Sequence, residues 1–170
     1  MARPLFYLML AATLANSPGA CGESGSSQSA AASSSVGGSA GDWTSLGATA
    51  CAKYFTPDVN AALLPGPGTP HTRSATSCTV ETPGGNIQLS LNSENLASFN
   101  AGAGYLPDTV PLPGVGDRAL QYAVGITAYK APNRVCTFLL VGNDGFFKQS
   151  GAQLSHTLGT VCTKLFAANP

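Results

Sequence analysis

Apolar and polar residues alternate most cleanly over 86–92, where Ile87, Leu89 and Leu91 are separated by Asn86, Gln88, Ser90 and Asn92. A period of two puts each set on its own face of an extended chain, so the segment is expected to be a strand with one wet face. The run TSCTVET lies just before it, across Pro83-Gly84-Gly85, and the two should pair as an antiparallel hairpin. A third strand is expected over 118–130, with Leu120, Tyr122, Val124 and Ile126 on one face. Ala131-Pro132-Asn133 then turns the chain into a fourth strand over 134–141. Its two sets, Val135, Thr137, Leu139, Val141 and Cys136, Phe138, Leu140, are both largely apolar, which is the pattern of a central strand.

Helical spacing flanks these strands. After Asp42, a residue suited to an N-cap, Trp43, Leu46, Ala50 and Tyr54 recur at helical intervals with Cys51 beside them. Thr56-Pro57 reads as a cap followed by proline at the first position of a second short helix, which Pro65-Gly66-Pro67-Gly68 terminates. A short helical piece is expected around 94–100, then an irregular Gly/Pro-rich loop over 101–116. Residues 150–168 carry Leu154, Leu158, Val161, Cys162 and Leu165 along one helical face. Helix, strands, helix is the order of an α+β domain: an antiparallel sheet of about four strands with N-terminal and C-terminal helices packed on one face.

The N-terminus has a different character. Arg3 precedes the apolar run Leu5-Phe6-Tyr7-Leu8-Met9-Leu10, which fits a signal-peptide core and is too short to span a bilayer. Gly19 and Ala20 then precede Cys21, where a bacterial lipoprotein carries its lipidated cysteine; Pro18 stands where a longer aliphatic residue is usual. Residues 1–20 are therefore expected to be removed, and Cys21 to anchor the chain to a membrane by lipid. If Cys21 is unmodified, the protein is simply secreted. Residues 22–41 are almost all Gly, Ser and Ala, a composition that builds no core. A linker of that kind reaches roughly 25 Å. The remaining 42–170 make one domain.

Charge narrows the partners. Eight Lys and Arg balance eight Asp and Glu, leaving no basic stripe for nucleic acid. With Cys21 set aside, Cys51, Cys78, Cys136 and Cys162 are an even set, which in an oxidising compartment reads as two disulfides. Three connectivities are open. Cys51 with Cys78 and Cys136 with Cys162 is the expected one, because each pair joins a helix to a strand nearby in sequence. A zinc site built from these thiols with His71 or His156 is the rival, but no Cys-x-x-Cys or His-x-x-x-His spacing supports it.

The stretches ACAKYFTPDVNAAL, SCTVE and GVGDRA together resemble a family of small bacterial envelope lipoproteins of uncharacterised function. That resemblance implies an α+β sheet domain and a bridge between Cys51 and Cys78, and it brings no reaction with it. Val80 stands where the family often carries Trp, and Cys136 and Cys162 add to its pattern.

Catalytic signatures are sparse. Gly114-Val115-Gly116-Asp117 lacks the third glycine and the lysine of a phosphate loop and leads into a strand, so a tight turn is expected. His71 and His156 lie in no nucleophile motif, although a Ser/His/Asp site could assemble in space. Asp108 and Asp117 read as solvated turn residues, and Asn143-Asp144-Gly145 as the turn after the fourth strand. No cofactor or metal is expected. The expectation is a membrane-tethered, non-enzymatic binding or accessory module taking a protein or a small apolar ligand. Its binding loop would lie within 101–116 and the helix before it, offering Phe99, Tyr105 and Leu106 as exposed contacts. The alternatives are a secreted hydrolase, a metal-binding domain, or an ordinary connecting loop with no ligand.

Overall fold

The computed structural model describes residues 42–143 and 145–170. The expected leader, Cys21 and the Gly/Ser linker lie outside the described residues, as does Asp144.

Among the described residues, four α-helices and seven strands follow a 3-10 helix at Trp43–Leu46. The helices are α1 (Gly47–Tyr54), α2 (Pro57–Leu63), α3 (Leu96–Ala103) and α4 (Gly151–Ala168). The strands are β1 (Thr69–Ser74), β2 (Ser77–Thr82), β3 (Gly85–Ser93), β4 (Val110–Pro111), β5 (Arg118–Tyr122), β6 (Gly125–Lys130) and β7 (Arg134–Gly142). They form one antiparallel sheet in the order β1-β2-β3-β7-β6-β5-β4. The four-stranded expectation is thus corrected to seven, within the same α+β arrangement.

Each extra strand escaped the pattern for its own reason. β1 reads TPHTRS, is exposed along its whole length and has no apolar alternation. It is held instead by pairing with β2 and by a hydrogen bond from the Thr72 hydroxyl to Ala48 O, 2.7 Å. β4 is two residues of a proline-rich segment. The single strand expected over 118–130 is a hairpin, because Tyr122 pairs with Gly125 and leaves Ala123-Val124 as a two-residue loop. The turn shifts the phase, so Leu120 and Tyr122 face one side of the sheet while Ile126 faces the other. Gly125 is required there: a Cβ on it would lie 1.9 Å from Phe138 O.

β7 is central, between β3 and β6, as its two apolar faces suggested. On one face Ile87, Leu89 and Leu91 meet Phe138, Cys136, Ile126 and Ala128, covered by α1, α2 and α4 through Ala50, Leu63, Leu158 and Leu165. Both disulfides lie in this layer. Cys51–Cys78 ties α1 to β2 and Cys136–Cys162 ties α4 to β7, with Cα atoms 5.8 and 5.9 Å apart. Trp43 closes one end, its ring 5.3 Å from that of Phe166 and its indole N–H donating to Asn92 O at 3.0 Å.

Two helix ends are satisfied by nearby side chains. The Thr56 hydroxyl accepts from Val59 N ahead of Pro57, the cap expected from sequence. At the far end of α4, the buried Arg134 guanidinium donates to Phe166 O, Asn169 O and Ala131 O. A cation there meets the orphan carbonyls and the negative end of the helix dipole. Both sheet edges are blunted, β1 by Pro70, Arg73 and an irregularity between Thr72 and Ser74, and β4 by Pro111.

α3 lies against the opposite face. Asn95 caps it, its side chain accepting from Ser98 N at 2.9 Å, and Phe99 packs with Tyr129 and Val135 as a small second core. The N-terminal and C-terminal helices therefore share one face, and α3 partly covers the other.

Candidate functional site

Beneath α3 the second face holds a cavity of about 210 Å³. Phe99 and Ala103 of α3 and Leu106 beyond it form the apolar wall opposite the sheet, with Val135 and Tyr122 on β7 and β5. Two facing threonines, Thr127 and Thr137, also line it and share a hydrogen bond at 3.0 Å across β6 and β7. Asn92 and Glu94, where β3 leads into α3, complete the lining.

The expected binding loop is thereby redistributed. Phe99 was expected to be exposed but is 3% accessible, since its ring is the anchor that holds α3 to the sheet, 5.6 Å from Tyr129. Leu106 is half-buried and lines the cavity with it. Tyr105 is 89% exposed and does not line it. Glu94, Asn92, Tyr122, Thr127 and Thr137 had no marker in the sequence, because the strand residues converge only through register and Glu94 joins them from the link between β3 and α3.

Unpartnered polar atoms border several cavities of the domain, Asn60 Oδ1 and Arg134 Nε among them, and under α3 the unpartnered group is a carboxylate. A larger void of about 440 Å³ lies beside α2, but the Lys148 ammonium on its lining donates to Ala61 O at 2.9 Å and the Asn60 amide to Phe55 O at 3.2 Å. Another, about 480 Å³, borders Lys130 and Arg134; Asp117 holds the first and main-chain carbonyls hold the second. Under α3 the half-buried Glu94 carboxylate has no hydrogen bond or ion pair among the described residues, and no Lys, Arg or His lines the space.

Comparison with known proteins gives no match. No protein-family model, no curated protein and no solved structure matches this chain. The reading of the site therefore rests on its own geometry.

The other sequence candidates are dispersed. Ser155 is buried and its hydroxyl donates to Gly151 O at 3.1 Å, whereas its neighbour His156 is exposed. His71 lies 3.8 Å from Glu81, which also takes Arg73. Neither histidine meets a serine hydroxyl, so no Ser/His pair is assembled among the described residues. The four domain cysteines are committed as disulfides and supply no thiolate. Among the described residues no group of three or more His, Cys, Asp or Glu could hold a metal.

Gly114-Val115-Gly116-Asp117 is a turn fixed from both sides. Gly116 has φ 61°, and a Cβ on it would lie 2.3 Å from Tyr129 O, which accepts from Asp117 N at 2.8 Å. The Asp117 carboxylate accepts from Ala131 N at 2.8 Å and pairs with Lys130. The Ala131 N–H foremost, with Lys130 next, holds that carboxyl below its usual range. Tyr122 donates its hydroxyl to Phe138 O at 2.9 Å, and burial pushes its phenol up.

Proposed function

We propose that this is an exported bacterial envelope lipoprotein, held to a membrane by lipid on Cys21, whose folded domain is a non-enzymatic binding module. The observation that carries the reading is the pairing of all four domain cysteines with one another. Two disulfides buried between helices and sheet are compatible with an exported protein, because reducing cytosols keep such thiols open. The pairing also leaves Cys21 with no cysteine partner in its own chain, at the position behind a short apolar leader that lipid attachment uses. Among the described residues no helix is long and apolar enough to cross a membrane, so attachment through them would need another device. The cavity under α3, with its unspent polar groups and apolar wall, supports binding of a small molecule over turnover of one.

Cell fractionation of a bacterial host expressing the full chain tests the tether. The wild type is expected with the membranes, and Cys21→Ser in the soluble exported fraction. Wild type and variant both recovered soluble would refute lipid attachment.

A further inference from the structure

We infer that the cavity under α3 takes a small organic cation, an ammonium bearing a short apolar body; the inference rests on the binding-module reading above and specifies its ligand class. Three independent features of the lining converge on that chemistry. Glu94 supplies a carboxylate that pairs with no cationic side chain among the described residues. An unpaired half-buried carboxylate beside a concave apolar surface favours an opposite charge, and the low-dielectric wall strengthens that attraction relative to open water. The rings of Phe99 and Tyr122 line the same space, and aromatic faces attract cations through their quadrupole. No basic side chain competes from the lining: the nearby Arg118 is held by the Asn100 carboxamide at 2.6 Å, and Arg134 is directed to the end of α4.

Size and the remaining walls limit the body of the ligand. About 210 Å³ is below the roughly 300 Å³ at which drug-sized pockets begin, so the occupant must be small. Leu106, Ala103 and Val135 give it an apolar bed, while Asn92 and the Thr127–Thr137 pair offer acceptors for an N–H or a hydroxyl. An anion of the same size would meet Glu94 unscreened, and a purely apolar molecule would leave that carboxylate desolvated without a partner.

Calorimetric titration of the full chain with choline and with its neutral isostere 3,3-dimethylbutan-1-ol isolates the charge, because the two differ in little else. Choline is expected to bind at least about ten-fold tighter than the alcohol. Glu94→Gln, which keeps the side-chain shape, should abolish that preference, and Leu106→Trp, which fills the void, should remove binding of both; thermal melts confirm that each variant is folded. Equal affinity for the two compounds, or preference for choline surviving Glu94→Gln, would overturn the cation reading while leaving the cavity a binding site. Absence of any binding by either compound would overturn both.

Discussion

Phe99 belongs to a helix with little else to hold it, since only Phe99 and Ala103 of α3 are buried. Its ring fills the second core with Tyr129 and Val135, so Phe99→Ala removes the anchor and opens the wall of the cavity. A loss of about 3–5 kcal/mol is expected from urea unfolding, with amide protection in α3 falling first. Gly125 acts by absence, because the main chain of Phe138 occupies the place of a side chain. Gly125→Ala should cost about 1–3 kcal/mol through forced displacement of β7 from the hairpin, read from the same unfolding curves. Asp117 carries a pH dependence whose sign follows from its lowered pKa. A carboxyl depressed in the folded state adds stability that is complete above its ordinary value of 3.8 and disappears as pH falls through the folded value. The stability gap between wild type and Asp117→Asn should therefore be constant near neutral pH and close progressively below 3.8, in chemical denaturation followed across pH.

At the level of elements, the disulfides brace the helix-covered face, each closing a loop between residues 27 or 26 apart. Loops of that length imply about 3.5 kcal/mol per bridge on the chain-entropy account. Cys51→Ala/Cys78→Ala and Cys136→Ala/Cys162→Ala should each lower the unfolding free energy by about that much, and an undiminished midpoint in either would contradict a bracing role. The even set of four cysteines was legible in the sequence, whereas the connectivity was one of three open choices, favoured only because each pair joins a helix to a strand nearby in the chain. β3, β7 and α4 were legible because burial writes a period into the residues, and the start of α2 because Thr56-Pro57 is a cap followed by proline at the first helical position. β1 was not, because an exposed edge strand paired on one side has no apolar face to encode. Nor was the β5–β6 hairpin, since Ala123-Val124 contains none of the Gly, Asn or Asp residues that mark tight turns. The cavity was half visible. Phe99 and Leu106 could be picked out as apolar residues near a Gly/Pro-rich segment, but Thr127 and Thr137 meet only through antiparallel register, and Glu94 joins them from the link between β3 and α3.

Over the whole molecule, the two sheet faces divide the work. One buries both disulfides and the main core beneath α1, α2 and α4; the other carries α3 and a cavity with unspent polarity. On the lipoprotein reading proposed above, the address of this near-neutral domain would be set by lipid on Cys21 and by an oxidising destination. Intact-mass analysis of the full-length gene product matured in a bacterial host reads both at once. The account predicts a chain starting at Cys21, heavier than its residues by a diacylglycerol-type lipid and lighter by four hydrogens for two disulfides. An uncleaved chain starting at Met1, with all five cysteines open to alkylation, would contradict it.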